Sequence, residues 1–203
     1  MDKRDKMVVF VGFLILVVAL IGVMYEEKGY TEAAKEEKKI MYAVEWEEGM
    51  NGFQEEETVT KSEATTLTYE INQEGLTEVE FRLEWNDNLA TGIIIPWNWS
   101  DLIEMKVSGP GGVVFSSNPA SGYKSPLVIK AEIGEVPSSM TINATNETEV
   151  WNIINPYITT KGMGTWNAEI SIKPKPFFFD RGNDFTIYVT YKYYTPEVRK
   201  ISE

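Results

Sequence analysis

The chain has 203 residues, with 31 acids against 19 bases for a net charge of −12, and it contains neither cysteine nor histidine. So acidic a chain repels nucleic acid and anionic lipid headgroups, which excludes nucleic-acid binding. The missing residues exclude disulfides, ordinary zinc sites and Ser-His-Asp or Cys-His catalysis, leaving paired carboxylates or a Ser-Lys arrangement as routes to an enzyme.

Residues 1–6 form a basic tip carrying Lys3, Arg4 and Lys6. Residues 7–25, MVVFVGFLILVVALIGVMY, have no charge, Asn, Gln or Pro. As a helix they would be ~28 Å long, against ~30 Å for a bilayer's hydrocarbon core. The run is longer than the apolar part of a signal peptide, and its end lacks a small-x-small cleavage pair. It is therefore expected to be an uncleaved transmembrane anchor in contact with the lipid bilayer. Lys and Arg counts set orientation, so the Lys3, Arg4 and Lys6 flank predicts a cytoplasmic N-terminus and an extracytoplasmic C-terminal domain in the cell membrane. Gly12 and Gly22 are ten residues apart and make no close-packing helix pair.

Residues 26–39 (EEKGYTEAAKEEKK) read as a charged stalk, either a continuation of the helix or a solvated spacer. Gly29 argues for a break between the two. From Ile40 the apolar period becomes two. Strands are expected at 41–47, 66–71, 79–85, 102–107, 113–115, 127–133, 140–142, 166–172 and 185–194. The clearest places Val79, Phe81, Leu83 and Trp85 on one face and Glu80, Arg82 and Glu84 on the other. Turn signals separate the strands, including Asn86-Asp87-Asn88 and Gly109-Pro110-Gly111-Gly112. No sustained helical period follows the stalk, residues 149–164 read as irregular, and residues 195–203 read as a tail. The fold class is mainly β: an antiparallel β-sandwich or jelly roll over residues 40–194, behind one transmembrane helix. Acids that are mostly Glu, with no cysteine, lean toward a heat-adapted, archaeal source.

A family likeness covers residues 76–194. It is carried by Phe81-x-Leu83-x-Trp85-Asn86-Asp87, by Asp101-Leu102-Ile103-Glu104-Met105-Lys106-Val107 running into Ser108-Gly109-Pro110-Gly111-Gly112, by Gly164-Thr165-Trp166-Asn167-Ala168-Glu169-Ile170, and by Asp184-Phe185-Thr186-Ile187-Tyr188-Val189-Thr190-Tyr191. This order resembles the bacterial pre-peptidase C-terminal domain and the related P domain of proprotein convertases. The resemblance implies an extracellular β-sandwich that binds ligands or stabilises neighbours and is not itself an enzyme. Where that family often has an acid two residues after the Asp of its Asp-Leu strand, this chain has Ile103, and Glu104 points to the other face.

Candidate sites are few. Three sequons, at Asn98, Asn143 and Asn146, would suit glycan acceptors on an outside domain. Asp87, Asp101, Asp180 and Asp184 lie in or beside turns and offer oxygen ligands for Ca²⁺, but without the dense spacing of a calcium loop; turn capping is the favoured reading, and no metal site is assigned. Trp97, Trp99 and Trp151 fall in irregular segments, as do Phe177, Phe178 and Phe179. Exposed, these rings would make a contact surface; folded back, they would close an end of the core. Glu55-Glu56-Glu57 reads as a solvated face.

The expected function is non-enzymatic: an accessory or binding subunit of a membrane or surface assembly. Its protein partner is expected beside the membrane, contacted through Trp97, Trp99, Phe177, Phe178 and Phe179. No cofactor or catalytic residue is assigned. The alternatives are a stator-like subunit of an archaeal appendage and an extracytoplasmic carboxylate-dependent hydrolase.

Overall fold

The computed structural model of the protein describes residues 2–33, 39–60, 63–86, 101–173 and 182–202. The chain forms two compact units, Met1–Lys39 and Ile40–Glu203.

The first unit is one helix, α1 (Lys3–Ala33). Its stretch Lys6–Met24 has a mean hydropathy of 3.1 and is long and apolar enough to cross a membrane. Apolar side chains stand exposed all round it, from Met7 and Val8 to Val23 and Met24. A helix apolar on every side belongs in an apolar medium. The break expected at Gly29 is absent, and the helix continues to Ala33. One glycine lowers helix stability by only about 1 kcal/mol, which the flanking helix formers offset.

The second unit is mainly β. Its strands are β1 (Ile40–Val59), β2 (Thr65–Ile71), β3 (Leu76–Trp85), β4 (Leu102–Ser108), β5 (Val114–Ser116), β6 (Ala120–Gly122), β7 (Leu127–Glu132), β8 (Met140–Ala144), β9 (Gly164–Lys173) and β10 (Asn183–Ser202). A short helix, α2 (Glu147–Ile154), and a 3-10 turn (Asn155–Tyr157) lie between β8 and β9. Two antiparallel sheets result, ordered β5-β7-β3-β10-β1-β8 and β2-β9-β4-β6. Alternation in β3 works as expected: Phe81, Leu83 and Trp85 are buried, whereas Arg82 is exposed and Glu80 and Glu84 are half-buried. These side chains meet Ile103, Met105, Trp166 and Ile170 of the second sheet in the main core. Trp166 is wholly buried, and its indole Nε1 donates to the Gly162 carbonyl at 2.9 Å.

The long strands β1 and β10 form a continuous antiparallel ribbon, in unbroken register from Tyr42↔Lys200 to Val59↔Asn183. Along a strand, alternate side chains face opposite sides. Val59 belongs to the main core with Phe185, Ile187, Val189 and Tyr191. Tyr42 and Val44, of the other parity, belong to a second cluster with Ile142, Ala144, Val150 and Ile154. The ribbon therefore buries one face at one end and the opposite face at the other. The second sheet covers the first face, and α2 packs over the other, which β8 widens.

Three expectations are corrected here. Residues 195–202, read as a tail, continue β10, and Val198 packs against the second cluster. Pro196 is tolerated because β3 stops pairing with β10 at Tyr193, leaving only one side of the strand in a ladder there. Helix α2 (Glu147–Ile154) runs into residues 149–164, read as irregular, and makes 149–154 helical. Strand β1 runs to Val59 rather than ending near Glu47.

Candidate functional site

A cleft of about 560 Å³ opens at the end of the sandwich where β1 and β3 finish and β10 begins. Glu56, Glu57, Glu84 and Asp184 line it with Trp85 and Ser125, and no described lining residue is basic. Two of the carboxylates are engaged. The Thr58 hydroxyl donates to Asp184 Oδ1 at 2.7 Å, and Arg82 pairs with Glu84. Beyond the cleft, acids on the outer face of the larger sheet are also neutralised: Lys130 lies 2.8 Å from Glu80, and Lys192 lies 3.0 Å from Glu78. Its hydrogen bond to Glu80 holds the Lys130 ammonium above the ordinary lysine range. The cleft can attract a cationic group, but among the described residues no three Asp or Glu side chains converge as a metal ion would require.

Of the four aspartates considered for calcium, Asp87 and Asp180 lie outside the described residues. Asp101 and Asp184 serve separate local roles. Asp101 is buried just before β4 and accepts from the Asn183 amide at 3.5 Å, while Asp184 holds Thr58.

Trp97, Asn98, Trp99, Phe177, Phe178 and Phe179 all lie outside the described residues. Trp151 is described and sits on α2, 40% exposed. Helix α2 buries Val150 and Ile154 against the ribbon, so Trp151 and Ile153 fall on the two flanks of that buried stripe. Tyr157, half exposed in the following turn, extends the apolar surface, and its carbonyl accepts from the Tyr194 hydroxyl at 2.6 Å. Ile153 and Tyr157 carry no signal of this surface in the sequence, because the helix and turn that present them lie in the stretch 149–164 that reads as irregular.

The two described sequons differ in setting. Asn143 is exposed on β8, at the edge of the larger sheet. Asn146 caps α2: its side-chain oxygen accepts from the Glu149 N–H at 3.0 Å, while Glu149 Oε2 accepts from the Thr145 N–H and hydroxyl at 2.8 and 2.9 Å. The sequon residues thus have a structural duty as well.

Where β1 passes the second sheet, Phe53 stacks near Tyr69 and Tyr191, with ring centroids 5.5 and 6.0 Å away. The buried Tyr69 hydroxyl finds no hydrogen-bond partner among the described residues. Burial first, and then the nearby Glu55 charge, push its ionisation above the ordinary tyrosine value.

No family model and no curated protein matches this chain. Among solved structures it is similar to a chain of the cyanophage Pam1 capsid asymmetric unit, at 13% identity over 74% of this chain and 84% of that one, with a TM-score of 0.23. It is also similar to a chain of desmodium yellow mottle tymovirus, at 10% identity over 77% of this chain and 93% of that one, with the same TM-score of 0.23. Neither likeness bears on what the protein does.

Proposed function

We propose that the protein is a single-pass membrane protein, with a cytoplasmic N-terminus and an extracytoplasmic sandwich, that serves as a non-enzymatic accessory or binding subunit of a surface assembly. The observation that carries the reading is one chain joining a helix apolar on every side to a separate sandwich with its own core. Lys3, Arg4 and Lys6 ahead of the helix support the orientation. The absence of histidine and cysteine, and the resemblance over residues 76–194 to non-catalytic sandwich modules, support a binding role. Trp97, Trp99 and Phe177 to Phe179 supply aromatic anchors of the kind interfaces use.

Two measurements test this. Protease added to intact cells should remove the sandwich; full protection reverses the orientation. A tagged full-length chain, purified in mild detergent after cross-linking in native membranes, should bring down a stoichiometric membrane or surface protein. Trp99→Ala and Phe178→Ala should abolish that recovery without lowering the melting temperature. A chain that purifies alone as a monomer overturns the reading.

A further inference from the structure

Strand β1 has two edges, and among the described residues only one is paired along its length. On one side it pairs with β10 from Met41 to Val59. On the other, β8 accompanies it only from Ile40 to Val44. Just beyond, the Trp46 indole donates to the Ser138 carbonyl at 3.2 Å, which closes the edge at that point. From 47 to 57 no described strand pairs with this side. An unpaired edge turns the N–H and C=O of every second residue outward, where an extended segment can join the sheet. The Asn51 side chain holds the Gly52 N–H at 2.8 Å, a local contact that an arriving strand would displace.

The side chains of this edge specify the arrival. Glu47, Glu48, Glu55, Glu56 and Glu57 flank it, and β1 contains no Lys or Arg anywhere. A second copy laid edge to edge would set acid against acid, which is unfavourable. A strand with Lys or Arg at alternating positions would instead be neutralised along its length. Apolar footholds exist on both faces. Met50 is 68% exposed on one and Phe53 37% exposed on the other. One face thus offers the arriving strand Glu47, Phe53, Glu55 and Glu57, and the other Glu48, Met50 and Glu56, with the acids gathered at the two ends of the stretch.

We propose that the open edge of β1 over residues 47–57 receives an extended, Lys- or Arg-bearing segment of a partner protein as an added strand. Main-chain hydrogen bonds would supply affinity and the glutamates the choice of partner. This rests on the binding role proposed above and gives the partner its chemistry.

Amide exchange on the full chain in a non-ionic detergent tests the proposal, with synthetic peptides of about ten residues, the length of a strand. A peptide alternating Lys and Val should slow exchange across residues 47–57 by about tenfold or more at low salt. A Lys-Pro peptide of equal charge cannot form a ladder and should not; nor should a Glu-Val peptide. The E48K/E56K variant, altered only at exposed positions, should melt like the parent and lose the protection. Equal protection by Lys-Pro would reduce the site to charge attraction and overturn strand addition. Protection by Glu-Val, protection that grows with protein concentration in the absence of peptide, or no protection at all overturns the proposal too. The two readings fail separately: a partner that co-purifies undiminished with E48K/E56K sinks the edge and spares the accessory role, whereas a chain that purifies alone sinks the role whatever the peptides do.

Discussion

Leu83 and Glu84 are neighbours in β3 with opposite fates, the first fully buried and the second half-buried beside Arg82. Leu83→Ala should cost ~2–5 kcal/mol, because deletion leaves a cavity between tightly packed sheets, while Glu84→Ala should stay within ~0.5 kcal/mol. Denaturant unfolding of the sandwich measures both, and equal small effects would refute the register. Tyr69 offers the converse case. Its buried hydroxyl makes no hydrogen bond of ordinary geometry among the described residues and lies near the Glu55 charge, so Tyr69→Phe should be neutral or stabilise by about 1 kcal/mol. At the surface, the Arg199 guanidinium hydrogen-bonds Glu197 and holds its carboxyl below the ordinary carboxylate range. A lowered folded-state value means the pair contributes above the ordinary range and is lost as pH falls through the folded value. Carboxyl-detected NMR should find Glu197 titrating below the ordinary glutamate value, and Arg199→Met should raise it toward that value.

Among the elements, β3 was the easiest to read from sequence and α2 the hardest. Strict alternation over Val79 to Trp85 makes β3 unmistakable. Helix α2 has only eight residues and buries only Val150 and Ile154, too few to display a helical period. A signal was nevertheless present: Asn146 followed three residues later by Glu149, ahead of Val150 and Ile153, is a helix-start pattern. The same Asn-x-Thr residues also spell a sequon. Asn146→Ala should cost about 1 kcal/mol by removing the cap, while Asn146→Asp should hold stability and abolish any glycan there. Strand β1 was read too short because its middle is exposed on both faces, so alternation fades after Trp46. Gly52 fits this stretch for a packing reason. A Cβ there would lie 2.4 Å from the Val189 carbonyl oxygen. Gly52→Ala should therefore cost about 1–3 kcal/mol by forcing the ribbon apart.

At the scale of the whole molecule, the two units make separable predictions. The 31-residue α1 carries an apolar stretch with no matching apolar groove on itself, and the sandwich has a core of its own. The full chain should resist carbonate extraction from membranes, and residues 40–203 expressed alone should be water-soluble with a β-dominated far-UV spectrum. Recovery of the full chain in the carbonate supernatant would refute the anchor. A shortened chain that cannot fold would mean the sandwich depends on the N-terminal unit.

The sequence by itself determined what local pattern can encode. Nineteen uncharged residues specify a helix suited to a bilayer, and period-two runs specify strands and their buried faces. The acid excess fixes the sign of the surface. Even the missed extension of β10 carried its alternation, in Tyr194 and Val198 against Glu197 and Arg199, hidden by the Pro at 196. Tertiary structure alone decided how the strands are shared between two sheets, because each pairing joins residues far apart in sequence. It also decided that the β1–β10 ribbon buries opposite faces at its two ends, since the partner covering each end, a sheet at one and α2 at the other, comes from elsewhere in the chain. That no described strand pairs with this side of β1 over residues 47–57 follows from the same cause: β8 stops pairing at Val44, and nothing within residues 47–57 foretells it.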